Sequence, residues 1–138
     1  MGRVIGIDYG RKRTGVAVTD PGRIIASPLT TVPTHELSDF LRKYITDEDV
    51  ECIVIGQPRQ MDYTESEAEQ YIRPFIKKLG KEFPHIKIER VDERFTSQMA
   101  SRVILDSGIN KKSRRDKALV DKVSAAIILQ TYLEMTSK

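Results

Sequence analysis

Apolar residues crowd into short runs through the first third of the chain and then spread to a three- and four-residue spacing. Val4-Ile5-Gly6-Ile7 leads into Asp8-Tyr9 and reads as a strand over residues 3–9, and a second apolar run covers residues 14–19. Asp20-Pro21-Gly22 is a turn signal, and Ile24-Ile25-Ala26-Ser27-Pro28-Leu29-Thr30-Thr31-Val32 reads as a third strand. Strands joined by such short turns form an antiparallel meander. The period then changes: Leu37, Phe40, Leu41, Tyr44 and Ile45 share one face of a helix, with Thr34 as its cap and Glu36 in its first turn.

Residues 51–56 are almost wholly apolar, the pattern of a strand buried on both faces. Thr64-Glu65-Ser66-Glu67 fits a capping box for a helix reaching residue 79, and Pro74 within it demands a kink or a later start. Residues 86–91 form the fifth strand. Thr96 or Ser97 then caps a helix carrying Met99, Ala100, Val103 and Ile104, closed by Gly108. Residues 109–116 are basic and without period, as in a loop, and a last helix covers residues 117–135. The predicted fold is α/β: a mixed five-stranded sheet, meander plus parallel strands, flanked by helices.

Composition narrows the class. At 138 residues, 39% hydrophobic and 31% charged, the chain reads as one globular domain over residues 1–138 with a true core. It lacks an apolar run of membrane-spanning length and the apolar centre of a signal peptide, so a cytoplasmic protein with no membrane partner is expected. Cys52 stands alone within a strand, and one Cys with the distant His35 and His85 cannot assemble a zinc site. Net charge is only +3, so distribution matters more than the sum. Basic residues gather at Arg11-Lys12-Arg13 and at Lys111-Lys112-Ser113-Arg114-Arg115-Asp116-Lys117, acidic ones at Asp47-Glu48-Asp49 and around Glu65, Glu67 and Glu69. Two faces of opposite sign are predicted.

Candidate chemistry lies in carboxylates that end strands or face inward. Asp8 shares the period-two phase of Val4 and Gly6, and a carboxylate at the tip of a buried strand is costly unless a divalent metal or a hydrogen-bonding turn receives it. Asp92 and Glu93 follow the fifth strand, where parity does not choose between them. Asp121 is in line with Ala125, Ile128, Leu129 and Tyr132, the inward stripe of the last helix, and the small Ser124-Ala125-Ala126 lets that helix approach the sheet. Such carboxylates repel one another unless a cation joins them. With Mg²⁺ or Mn²⁺, two ions roughly 3.5–4 Å apart would activate a water and stabilise the leaving oxygen in phosphodiester cleavage. Each residue also has a plain structural role open to it: Asp8 as a turn cap, Glu93 paired with Arg94, and Asp121 as a first-turn acid. The basic segments fit either phosphate contacts or solvated turns.

Gly6-Ile7-Asp8-Tyr9-Gly10 with Arg13-Thr14-Gly15-Val16-Ala17, Ile55-Gly56-Gln57-Pro58 with Met61-Asp62, Asp92-Glu93-Arg94-Phe95-Thr96-Ser97, and Asp121-Lys122-Val123-Ser124-Ala125-Ala126-Ile127-Ile128-Leu129 together resemble the YqgF family. These are bacterial proteins of RNase H-like fold related to the RuvC Holliday junction resolvases, and the motifs run almost the whole chain in the family's order. The resemblance implies a metal-dependent nuclease for 5′-end maturation of pre-16S rRNA, in a family also assigned as Holliday junction resolvases. Residue by residue, the family's acidic positions fall on Asp8, Glu93 and Asp121, which prefers Glu93 over Asp92. Gln57 departs from the usual apolar residue between Gly and Pro, and Tyr63 from the Gly that commonly follows Met-Asp.

The resulting expectation is a catalytic set of Asp8, Glu93 and Asp121 holding Mg²⁺ or Mn²⁺, with Arg11, Lys12, Arg13, Arg94, Arg114, Arg115 and Lys117 on substrate phosphates. The expected partner is structured RNA, the pre-16S rRNA of a small-subunit precursor, acted on by a monomer or homodimer. Branched DNA is the alternative substrate. A non-catalytic RNA- or ribosome-binding protein is the rival of a different class, separable by RNA binding that survives loss of Asp8 without any cleavage. A nucleotide-binding domain of the actin and sugar-kinase type ranks last, because those proteins pair two such domains and this chain supplies one.

Overall fold

The structure, a computed structural model, describes residues 2–20, 22, 25–57, 67–92 and 117–136, with backbone alone at 117–119. The alternating first third forms β1 (Arg3–Asp8), β2 (Arg13–Thr19) and β3 (Ala26–Pro33). A 3-10 turn (Thr34–Glu36) leads into α1 (Leu37–Asp47), followed by β4 (Val50–Gln57), α2 (Glu69–Glu82), β5 (Lys87–Asp92) and, after the undescribed residues 93–116, α3 (Lys117–Thr136). The sheet order is β3-β2-β1-β4-β5, with β1/β2 and β2/β3 antiparallel and β1/β4 and β4/β5 parallel. The meander and the parallel extension are both as the pattern predicts. The helix expected over residues 96–108, the loop at 109–116 and the capping box at 64–66 lie outside the described residues.

Strand alternation sorts the core into two layers. Ile5, Ile7, Val16, Ile53 and Ile55 point to α1 and α2, meeting Leu37, Leu41, Ile72, Phe75 and Leu79. Val4, Ala17, Cys52, Val54 and Val91 point the other way, to Ala125, Ala126, Ile128 and Leu129 of α3. β1 and β4, which have strands on both sides and helices on both faces, therefore carry the unbroken apolar runs. No helix among the described residues is long and apolar enough to cross a membrane.

Three expectations change. Thr34 does not cap α1, whose first turn has no side-chain cap. Its hydroxyl is committed instead to the β1–β2 turn, donating to the Gly10 carbonyl at 2.5 Å and sharing a hydrogen bond with Thr14. α2 is assigned from Glu69, later than the capping box implied, and continues through Pro74, which cannot donate to the carbonyl of Gln70. Nor is the acidic stretch at 65–69 wholly a solvated face: Glu67 is exposed but Glu69 is buried, because Arg90 reaches it from β5.

Gly80, near the C-terminal end of α2, has open space where a Cβ would stand and a backbone that any residue adopts. Gly80→Ala should therefore stabilise the protein by about 0.4–1 kcal/mol through loss of unfolded-state freedom. Denaturant melts of the two proteins check this, and a lower midpoint for the variant would contradict it.

Candidate active site

The site grows from the close approach of α3 to the meander. Asp8 closes β1 directly opposite Gly15 of β2. Residues so paired in an antiparallel ladder project to the same side, and for Gly6, Asp8, Gly15 and Ala17 that side is the α3 layer. A Cβ on Gly15 would lie 1.9 Å from the Asp121 carbonyl oxygen and 2.8 Å from the Lys122 nitrogen. A Cβ on Gly6 would lie 2.7 Å from Leu129 Cβ and 2.9 Å from the Ala125 carbonyl oxygen. Glycine at these positions lets the helix backbone rest on the strands, and so places Asp121 beside the end of β1. The small residues of α3 complete the approach from the other side.

β1 and α3 thus bring Asp8 and the backbone of Asp121 to one end of one sheet face. Arg13 joins them. It stands two residues from Gly15 on the same side of β2, and its Nε donates to Asp121 Oδ2 in an ion pair whose side chains are 40% and 21% exposed. Among the described residues no group of three His, Cys, Asp or Glu is placed to hold a metal ion. Glu93 lies outside them, as do Arg94, Arg114 and Arg115, and Lys117 is described by its backbone only. β5 fixes the phase of Asp92. Val91 faces α3, so alternation turns Asp92, the last residue of β5, to the opposite layer, away from Asp8.

The basic turn is divided between the two layers. The Arg11 guanidinium stacks 4.5 Å over the ring of Tyr71 on α2, beside Tyr9, whose ring lies 5.0 Å from that of Phe75. Burial pushes the Tyr9 phenol above its ordinary range. Lys12 is exposed at the tip, and Arg13 folds to the Asp121 side. The turn itself is fixed: the Thr34 N–H donates to the Lys12 carbonyl at 3.0 Å, and the buried Thr14 hydroxyl lies 2.9 Å from that of Thr34. Backbone position is set by these bonds, whereas the cationic side chains radiate from it.

A second polar network joins β4, α2 and β5. Arg90 Nη2 donates to Glu69 at 2.5 Å and to the Gly56 carbonyl at 3.1 Å, while its Nε reaches the Ile55 carbonyl at 3.2 Å. Glu69 also pairs with Arg73 at 3.5 Å. This ties the end of β4 to the start of α2, across the segment that contains Pro58, Met61 and Asp62. A buried carboxylate in the first turn also suits the helix dipole. The only sequence signal was an arginine within a strand and an acid among acids, neither of which names its partner.

The chain as a whole is similar to known proteins. Residues 2–135 match the family model described as "RuvX: Holliday junction resolvase". The chain is 65% identical over 134 residues to a Porphyromonas gingivalis protein named "Putative pre-16S rRNA nuclease", an alignment covering 97% of each chain. A Bacteroides thetaiotaomicron protein of the same name is 56% identical over 134 residues, again covering 97% of both. Among solved structures, Thermus thermophilus RuvC in complex with a Holliday junction substrate superposes with a TM-score of 0.63 at 18% identity, covering 98% of this chain and 97% of that one. At that identity the likeness is one of fold, and the fold is the RNase H-like one expected.

Proposed function

The chain belongs to the RuvX family, and from that premise we propose that it is a metal-dependent nuclease hydrolysing phosphodiester bonds in structured RNA, at the 5′-end maturation of pre-16S rRNA. The observation that carries the chemistry is the convergence of Asp8 and Asp121 over Gly15. Their donors suit a hard divalent cation: carboxylate oxygens on two braced elements at a strand end, where hydrated Mg²⁺ or Mn²⁺ has access. Asp8 and Asp121 would hold the ion, with Glu93 as the third ligand. When bound, such ions supply a water nucleophile at neutral pH and charge stabilisation for the leaving oxygen.

The protein's own contribution is placement. β1 and α3 present the two carboxylates from elements whose backbones touch, so their spacing does not depend on a loop. Arg11, Lys12 and Arg13 line the adjoining turn, with Arg94, Arg114, Arg115 and Lys117 as further phosphate contacts. Phosphate contacts of this kind position a substrate without reading its sequence. No covalent enzyme intermediate is required, and ribosome maturation places the protein in the cytoplasm.

The RNA reading is supported by relatives more than half identical along nearly the whole chain that carry the pre-16S rRNA name. The family description favours a second reading, cleavage of a four-way DNA junction by the same residues. Purified protein offered small-subunit precursor particles and a four-way DNA junction side by side, in Mg²⁺ and in Mn²⁺, separates them. Cleavage of the precursor at the mature 5′ end is expected. Symmetric junction cleavage with intact precursor would assign the activity to DNA, and cleavage of neither would leave a binding protein.

A further inference from the structure

The ion pair between Arg13 and Asp121 places a fixed cation on the carboxylate that the nuclease reading gives to a metal. Two carboxylates brought together on one face repel, and a protein without bound metal has to relieve that repulsion by other means. Arg13 is built to do so. The residues on either side of it are held, Thr14 by its hydroxyl contact with Thr34 and Lys12 by the Thr34 N–H, whereas the Arg13 side chain takes no part in those bonds and is two-fifths exposed. Asp121, by contrast, is seated by the contact of its own backbone with Gly15. In any exchange of partners the arginine is the member that moves.

We propose that Arg13 is the resident counter-ion of the metal-free site and that a divalent cation displaces it from Asp121. The freed guanidinium then takes the nearest phosphate of the substrate. Guanidinium suits both duties, since its planar fork binds a carboxylate or a phosphate in the same manner and keeps its charge throughout. Metal loading and substrate engagement are thereby coupled through one side chain: the site surrenders its internal cation only when an external one arrives. Arg11 has no such role, because its guanidinium is committed to Tyr71 on the other layer. The proposal rests on the reading of Asp8 and Asp121 as metal ligands.

The test is Mn²⁺ binding to the full-length protein, followed by electron paramagnetic resonance without RNA, for wild type, Arg13→Gln, Arg13→Met and Arg13→Lys. A half-exposed pair of this kind is worth up to about 1 kcal/mol, so removal of the competing charge should tighten Mn²⁺ binding about fivefold in Arg13→Gln. Arg13→Lys keeps the charge and should stay near wild type, and Arg13→Met, which removes the charge but keeps a long apolar stem, should tighten Mn²⁺ binding as Arg13→Gln does should the glutamine variant fold poorly. Binding of an RNA hairpin, with Ca²⁺ added or withheld, gives the second readout: the gain in RNA affinity on adding metal should shrink severalfold in Arg13→Gln. Unchanged or weaker Mn²⁺ binding in Arg13→Gln would make the pair a structural strut and overturn the exchange while leaving the metal site standing. Absence of Mn²⁺ binding in all of these proteins would instead remove the metal-site reading, and the exchange with it.

Discussion

Asp8→Asn should abolish metal-dependent cleavage while leaving the fold and melting temperature close to those of the wild type. Asparagine matches aspartate in shape, so β1 keeps its pairing with Gly15 and α3 its seat, and what is lost is one negative charge at the end of β1. A neutral amide oxygen is a poor ligand for a hard divalent cation compared with a carboxylate. Loss of an outer-shell partner already costs about 10–100-fold in metal affinity or activity, so loss of a direct ligand should exceed about 100-fold. Cleavage of precursor RNA by the purified variant at saturating Mn²⁺ is the measurement. Near-normal cleavage by a preparation free of wild-type protein would end the role assigned to Asp8.

Gly15→Ala should be the most damaging single methyl group in the meander. The added carbon would sit 1.9 Å from the Asp121 carbonyl oxygen and 2.3 Å from its carbonyl carbon, and both are backbone atoms. No rotamer change relieves such a contact. Either β2 bends, which its pairing on both sides resists, or α3 lifts off and opens the layer formed by Val4, Ala17, Val54, Ile128 and Leu129. Overpacking ordinarily costs about 1–3 kcal/mol, and a clash confined to backbone belongs at or above the top of that range. For a domain of this size that is a fall in melting temperature of about 10 °C. The same displacement moves Asp121 with its helix, so the folded fraction at low temperature should also bind Mn²⁺ more weakly. A melting curve like that of the wild type would show that α3 does not rest on β2 at this point. Gly80→Ala, the same chemical change into open space, has the opposite expected sign.

Much of this architecture was legible residue by residue. The apolar run at 51–56 can only be satisfied with helices on both faces, and the structure buries β4 between α2 and α3. The phase of Asp121 with Ala125, Ile128 and Leu129 points it inward from the sequence pattern alone. What periodicity could not supply was partnership. Thr34 preceding a helix reads as a cap, because a hydroxyl bonds whatever donor or acceptor lies nearest, and only the folded chain brings Gly10 and Thr14 to it. Glu69 read as one more solvated acid because Arg90 is remote in sequence and adjacent only across the sheet.

Among the described residues the sequence by itself determined the strands, the helices with the inward faces of α1 and α2, and the strand end at which Asp8 stands, since these follow from steric and hydrophobic preferences within a few residues. Tertiary structure alone decided which charged groups meet. Asp121 meets the arginine of a turn 108 residues away, beside the strand that carries Asp8, because two glycines let a helix backbone lie on a sheet. Charge pairing depends on distance in space, and the packing of the whole chain sets that distance.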